Sequence, residues 1–161
     1  MSDEKDPQNE SESQQDRIAA AKRKVMDLLA ARDHSEQELR TKLRGKFADE
    51  DGSDEAIEEA ISFANEKNWL GDPSDYAARL ADTLHRRNKG ICYINNYLKE
   101  KGLPTVESDS ALELDKAMAI ITNKFNEDYK FSREEKARVG RLLTSRGFDS
   151  ETVRKVIYEK L

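Results

Sequence analysis

One residue pattern, typical of the end of a helix, occurs three times along the chain. This repetition constrains the fold more than any other feature. Each copy has two apolar residues four positions apart, then polar or basic residues, then a closing apolar residue. The copies are Leu39, Leu43 and Phe47; Ile94, Leu98 and Leu103; and Val139, Leu143 and Phe148. Because residues four apart share one face of a helix, the pattern predicts three short helices, each covered by a helix on either side.

Glycines support this interpretation in two of the three copies. Gly102 and Gly147 directly precede the closing apolar residue, four positions after the second apolar residue of the pair. Glycine at such a position commonly ends a helix. In the first copy, Gly45 stands only two residues after Leu43, so that copy is imperfect.

Start signals for helices complement these endings. They stand at Ser35 with Glu38 and Ser132 with Glu135 (two capping boxes), at Asp72 with Pro73, at Asp149, and at either Ser53 or Asp54. The apolar stripes between the signals predict about eight helices with short connections, the first of them from Arg17 to Arg32.

Composition favours an array of small units over one thick core. The apolar fraction is 36% and the charged fraction is 38%, whereas charged residues usually make up about a quarter of a chain. We therefore expect an all-α protein of three tandem three-helix repeats in an elongated array. The repeats span residues 17–71, 72–112 and 113–161, and the last helix of the second is expected to be degenerate or merged.

Charge is distributed unevenly along the chain. Residues 1–16 hold six acids and one lysine, which accounts for the whole net charge of −5, and their composition predicts a disordered acidic tail. Beyond them, basic and acidic blocks alternate: 17–46 is +5, 49–75 is −9, 79–101 is +4, 107–115 is −4 and 136–155 is +4. An array with one basic and one acidic flank would produce this alternation, and so would a set of solvated helix faces.

The sequence has no recognisable catalytic constellation. His34 and His85 lack a neighbour at metal-ligand spacing and are interpreted as surface or rim residues. The single cysteine, Cys92, is interpreted as a small packing residue. Phosphate-binding glycine loops are missing from the sequence. We therefore expect no enzymatic activity, no metal and no cofactor.

Basic side chains on and beside the three middle helices are the candidate contact residues. They are Arg32, Arg40, Lys42, Arg44, Lys46, Arg86, Arg87, Lys89, Lys99, Lys101, Arg138, Arg141, Arg146 and Lys155. Such a set could meet phosphates or an acidic protein groove, or could simply keep apolar helices solvated. Aromatic residues among them are few, which gives little support to a platform for stacking bases.

The N-terminus shows no signal-peptide pattern, and no apolar run reaches the roughly 20 residues that cross a bilayer. A soluble, cytoplasmic protein without membrane contact is expected.

Several segments together resemble the RecX family of regulators of the bacterial recombinase RecA. The run LLAARDHSEQELRTKL, residues 28–43, is similar to the start of those proteins. WLGD followed by Tyr76-Ala77, then YLKEKGL, and then LLTSRGF with its Val-x-x-Val-Ile tail fit in the same order. The resemblance extends over about residues 18–161.

The resemblance implies three tandem three-helix repeats in an elongated, curved molecule. It also implies binding to RecA and to the RecA filament on single-stranded DNA, along the filament groove. There the protein would suppress ATP hydrolysis, strand exchange and co-protease activity, with no cofactor of its own. A monomer with weak direct DNA contact is expected.

Two alternatives remain at this point. One is a stand-alone nucleic-acid-binding module of helix-turn-helix-like units, although the chain beyond the tail is electrically neutral. The other is a helical scaffold for a different partner.

Overall fold

The computed structural model describes residues 7–47 and 51–161, with side chains from residue 13 onward. All regular structure in this part of the chain is helical, as predicted. The helices are α1 (Pro7–Ala31), α2 (Glu36–Lys46), α3 (Ser53–Glu66), α4 (Pro73–Arg86), α5 (Ile91–Glu100), α6 (Ser110–Thr122), α7 (Arg133–Ser145) and α8 (Ser150–Lys155), which continues as a π-helical turn over Val156–Lys160.

The chain divides into two compact units, residues 1–73 and 74–161. The first unit contains α1 to α3 around one apolar core. Leu39 and Leu43 of α2 are fully buried in it, and Ile57 and Ile61 of α3 pack there as well. The i, i+4 pair of the first repeat therefore forms the centre of a three-helix unit.

The first helix begins earlier than the sequence indicates. Residues 7–16, which composition places in a disordered tail, are the opening turns of α1, while residues 1–6 lie outside the described part. Pro7 occupies the first helical position, where a proline costs no hydrogen bond. Gln14 then donates from Nε2 to the Gly52 carbonyl oxygen at 2.9 Å, which gives this polar stretch a tertiary anchor.

The start of α3 also differs from expectation. Its N-cap is Gly52, with a left-handed φ of 78° and no side-chain cap, whereas Ser53 or Asp54 was expected in that role. Both residues instead lie in the first turn of the helix. The bond from Gln14 instead joins the opening turns of α1 to the start of α3.

The second unit has two apolar clusters. One joins α4 and α5, and the other joins α6, α7 and the C-terminal helix. The apolar pairs of the second and third copies of the repeated pattern lie in these clusters. Ile94 and Leu98 are fully buried in the first cluster, and Val139 and Leu143 are buried in the second.

No helix follows α5 before α6 within the described chain. Residues 103–109 have no regular structure, and α6 begins at Ser110, so the expected repeat boundary at 112/113 lies inside that helix. Asn95 holds the segment through a bond to the Val106 carbonyl oxygen at 3.0 Å and one from the Val106 N–H at 2.9 Å. Leu103 and Val106 cover the α4–α5 cluster where a third helix would otherwise lie.

The predicted glycine stops are confirmed for α5 and α7. Gly102 and Gly147 have φ of 68° and 87°, and the following N–H groups turn back to helix carbonyls, Leu103 to Leu98 at 2.9 Å and Phe148 to Leu143 at 3.1 Å. This is the Schellman arrangement. Gly45, by contrast, lies inside α2, which explains its displaced position in the sequence.

Because Gly45 lies inside a helix and Gly102 lies after one, replacement of each by alanine should change the stability of the protein in opposite directions. Gly45→Ala should stabilise the protein by about 0.5–1 kcal/mol, because alanine is the better helix former and a Cβ there meets nothing within 4 Å. Gly102→Ala should destabilise it by about 1–2 kcal/mol, because an L-residue is forced into the left-handed region. Urea unfolding of both variants measures the change in the free energy of unfolding. A change of the same sign in both would contradict the assignment of Gly102 as the residue that ends α5.

Candidate interaction surface

Most candidate cations of the first unit are engaged within that unit. Arg40 bonds Glu58 through Nε at 2.6 Å and Glu36 through a terminal nitrogen at 3.2 Å. The hydrogen bond that Arg40 donates to the Glu58 carboxylate is the main cause that raises the pKa of Arg40. Arg44 lies 3.6 Å from Asp54. The acidic block on α3 therefore partly neutralises the basic block on α2.

The other candidates of this unit have local partners as well. Arg32 pairs with Glu38 at 2.9 Å, Lys42 lies 3.0 Å from His34 Nε2, and Lys46 lies over the Phe47 ring at 5.7 Å from its centroid. Because exposed ion pairs contribute little free energy, these contacts leave the side chains able to change partners. All five candidate cations of the first unit therefore have a contact within that unit.

A different arrangement lies on α5, in the second unit. Lys89, Tyr93, Tyr97 and Lys101 follow one another at intervals of four residues, and we call them the α5 strip. Lys89 Nζ lies 4.7 Å from the Tyr93 ring centroid, and Lys101 Nζ lies 5.0 Å from the Tyr97 ring centroid. Tyr93 is 38% exposed. The strip thus combines an exposed phenol ring and a second ring packed partly on the α4–α5 cluster with one ammonium group beside each.

The end of α7 lies beside the start of this strip. Gly90 donates its N–H to the Arg146 carbonyl oxygen and Cys92 donates to the Gly147 carbonyl oxygen, both at 2.9 Å. A Cβ added to Gly90 would collide with the backbone at Gly147, and one added to Gly147 would collide with Tyr93. The two glycines therefore allow two helix ends to meet, and they bring the backbone of Arg146, which caps α7, next to Gly90 at the start of α5.

The remaining candidates surround these helices. Arg138 and Arg141 are exposed on α7, Arg87 and Lys99 are exposed near the ends of α4 and α5, and Arg86 lies 3.4 Å from the Thr83 hydroxyl. Lys155 pairs with Glu151 at 3.0 Å. The structure thus places Lys89 beside the Arg146 backbone at the start of α5, and it places Lys101 at the opposite end of that helix.

A buried ionic cluster lies directly beneath the start of α5, and sequence reasoning missed it. Glu113 and Lys116 of α6 form an ion pair, with side chains that are 0% and 3% exposed. The Lys116 ammonium also donates to the Lys89 carbonyl oxygen at 2.7 Å and to His85 Nδ1 at 2.8 Å. Glu113 Oε2 accepts the Ile91 N–H at 3.0 Å. One ion pair therefore links the end of α4 and the beginning of α5 to α6.

A sequence signal for this cluster did exist. Glu113 and Lys116 lie on the face of α6 that also carries the buried residues Ala117, Ile120 and Ile121. Two charged residues of opposite sign at core positions of an apolar stripe indicate a buried pair, because an unpaired charge there would be too costly. Glu113 falls within the acidic block 107–115, and the net charge of that block obscures the pairing of Glu113 with Lys116.

The two histidines have similar environments, and one prediction about them was wrong. His34 is buried rather than on the surface, because its Nδ1 bonds the Arg32 carbonyl oxygen at 2.9 Å and its Nε2 faces Lys42. His85 lies at a rim, half-buried, as expected. Each ring accepts from a lysine ammonium, which identifies the neutral imidazole as the bonded form.

This arrangement predicts a loss of stability in mild acid. Burial, chiefly, lowers the pKa of both histidines, with Lys116 adding to the effect at His85 and the neighbouring cations adding to it at His34. Stability is then complete above the ordinary pKa of about 6.5 and falls as pH drops below it towards the lowered values. NMR titration should place both ring pKa values below about 6.5. Values above that would contradict the bonding scheme.

Cys92 also differs from expectation, because it is exposed rather than packed. It lies on the first turn of α5, where its N–H is bonded to Gly147 and its side chain points away from the buried Ile91 and Ile94 face. In the described residues, no group of three or more metal-binding side chains occurs. No helix there is long and apolar enough to span a membrane.

Comparison with known proteins decides the family. Residues 21–63 match the first three-helix domain of RecX, and residues 111–157 match its third three-helix domain. The regulatory protein RecX of Cronobacter sakazakii is 32% identical over 145 residues, which cover 83% of this chain and 87% of that protein. The chain belongs to the RecX family.

Further RecX proteins agree with this assignment. The regulatory protein RecX of Escherichia coli K12 is 29% identical over 159 residues, covering 91% of this chain and 95% of that protein. The crystal structure of RecX from Lactobacillus salivarius superposes with a TM-score of 0.68 at 20% identity, over 89% of this chain and 96% of that one. A second RecX crystal structure gives a TM-score of 0.73 at 21% identity, over 95% of this chain and 78% of that one. This RecX-family chain therefore has the helical-repeat fold of the family and a regulatory role.

Proposed function

We propose that this chain binds RecA and the RecA filament on single-stranded DNA, and that it suppresses the ATPase, strand-exchange and co-protease activities of RecA. Membership of the RecX family is the observation that carries this proposal. The protein acts in DNA recombination and repair in the cytoplasm, as a regulator that alters the activity of another protein and catalyses no reaction itself.

The α5 strip and Arg146 are the contact residues we favour. Single-stranded DNA in the filament offers phosphates, and ammonium and guanidinium groups bind phosphates as well as acidic side chains of a protein partner. Tyr93 and Tyr97 add apolar area with two torsions each, so they lose little conformational entropy on binding. The paired arginines of α2 form a secondary set, because they must first leave Glu58 and Asp54.

A direct contact with DNA is a second candidate, and the α5 strip is the observation that favours it. Tyrosine rings flanked by lysines can stack on exposed bases while the lysines meet the backbone. Acting alone, the chain would then be a nucleic-acid-binding module. The acidic net charge of −5 opposes tight binding of that kind.

Cosedimentation separates the two candidates. The chain is expected to pellet with RecA filaments on single-stranded DNA and to stay in solution with naked DNA at the same salt concentration. Tight binding to naked DNA that falls log-linearly with salt would favour the DNA-binding module instead. Failure to bind either one would leave only a helical scaffold for another partner.

A further inference from the structure

A shallow apolar pocket of about 290 Å³ lies in the first unit, far along the sequence from the α5 strip. Met26, Leu29 and Ala30 of α1 and Trp69 after α3 line it. Met26 and Trp69 remain 48% and 39% exposed. Its volume is at the lower end of the range for small-molecule sites, roughly 300–1,000 Å³. We call it the Trp69 pocket.

The walls of this pocket are held firmly. Asn68 takes a left-handed φ of 55°, and the Trp69 N–H turns back to the Ala64 carbonyl oxygen at 3.0 Å, so the indole is folded against the end of α3. The indole meets Phe63 edge-on, with centroids 5.4 Å apart and an interplanar angle of 86°. Leu29 packs on the apolar core of the first unit. Two of the four lining side chains, Trp69 and Leu29, are therefore held by contacts within the unit.

Two ammonium groups lie at the Phe63 side of the pocket. Lys22 Nζ is 4.3 Å from the Phe63 ring centroid, and Lys67 Nζ is 5.6 Å from it. Lys22 lies one helical turn before Met26 on α1. Asp27 and Glu66 are the nearest acids in the sequence, and within the described chain neither forms an ion pair with these lysines. Two ammonium groups therefore lie on the Phe63 ring, which in turn contacts Trp69 of the pocket.

We propose that the Trp69 pocket is a docking site for an acidic amphipathic helical segment of a partner protein. An apolar side chain of that segment enters the pocket, and carboxylates one turn away meet Lys22 and Lys67. This is the helix-in-groove mode of recognition, in which apolar anchors supply affinity and charges supply orientation. A nucleobase fits less well, because the walls are largely aliphatic and Trp69 is already engaged with Phe63. The proposal goes beyond the RecA-filament function and does not depend on it.

Trp69 provides a direct measurement, because it is the only tryptophan of the chain. The probe is a synthetic helical peptide of leucine, glutamate and alanine, with the leucines at i, i+4 and i+7 and a fluorescein label. The full chain should show a saturable change in tryptophan emission and in label anisotropy. A peptide with the same composition but leucines on all sides, and a peptide with lysine in place of glutamate, should each bind at least about tenfold more weakly.

Matched variants locate the site. Met26→Glu, and Lys22→Glu combined with Lys67→Glu, should each weaken binding by at least about tenfold, because each places a carboxylate against the acidic peptide or its apolar anchor. Leu112→Glu is the control, since Leu112 is 38% exposed on α6 of the other unit, and it should leave binding unchanged. Circular dichroism verifies that all variants fold.

Several results would overturn the proposal. They are the absence of a saturable signal, equal binding of the three peptides, or equal binding by Met26→Glu and the parent chain. Stronger binding of a single-stranded oligonucleotide than of the peptide would assign the pocket to nucleic acid. Self-association in sedimentation that disappears in Met26→Glu would assign it to a second copy of the chain.

Discussion

Replacement of Lys116 by methionine is expected to destabilise the second unit by about 3–5 kcal/mol, because the change leaves the Glu113 carboxylate buried without its counter-charge. Three contacts are lost together. The Glu113 ion pair disappears, and the Lys89 carbonyl oxygen and His85 Nδ1 lose their donor. Urea unfolding followed by circular dichroism measures the loss.

A matched pair on the surface provides the control for Lys116. Lys155 pairs with Glu151, but the two side chains are 38% and 73% exposed, so Lys155→Met should cost less than about 1 kcal/mol. The double replacement Glu113→Leu with Lys116→Met should cost less than Lys116→Met alone, since no buried charge remains. A similar small loss for Lys116→Met and Lys155→Met would contradict the burial of the pair.

The second large effect is expected at the α5 strip. Lys89→Glu combined with Lys101→Glu should weaken binding to RecA filaments by about a hundredfold, because like charges are brought against phosphates and acidic side chains. Neither substitution removes a core side chain, and Lys116 still bonds the backbone carbonyl oxygen of residue 89. Cosedimentation titration gives the dissociation constant.

The control for the strip has the same change in net charge. Lys124→Glu combined with Lys130→Glu alters two exposed lysines between α6 and α7 that are outside the candidate set. This variant should bind within about threefold of the parent chain, since long-range electrostatic effects between exposed charges are largely screened at physiological salt. Equal weakening by the two variants would show a general effect of charge and would remove the α5 strip from the contact surface.

The helices and their buried faces could be predicted from the sequence because they depend on short-range patterns. Leu39 with Leu43, Ile94 with Leu98, and Val139 with Leu143 are all buried, as the four-residue spacing indicated. The turns at Gly102 and Gly147 followed for the same reason, since a left-handed residue after a helix favours glycine.

Features that depend on tertiary contacts could not be predicted in this way. The pairing of Arg40 with Glu58 joins residues 18 positions apart, so charge blocks alone could not show that the first basic block is partly neutralised. The contact between Gly90 and Gly147 depends on the fit of two helix ends. Gly147 thus has a second role beyond ending α7, since its missing side chain makes room for Tyr93.

The α5 strip is an intermediate case. Its four-residue spacing from Lys89 to Lys101 was present in the sequence, but only Tyr93 and Tyr97 lie within α5 and share a helix face. The contacts around the strip could not be predicted from the sequence, because they come from other helices. The Arg146 carbonyl oxygen accepts from Gly90, and the Lys116 ammonium donates to the Lys89 carbonyl oxygen. The candidate cations could therefore be named from the sequence, but their positions relative to one another required the fold.

Hydrolysis of ATP by RecA on single-stranded DNA, measured with increasing amounts of this chain, tests the account most directly. We expect suppression at substoichiometric to near-stoichiometric amounts relative to RecA, and we expect the Lys89→Glu, Lys101→Glu variant to lose it. Unchanged hydrolysis at a molar excess of the chain, together with no cosedimentation with the filament, would contradict the proposed function.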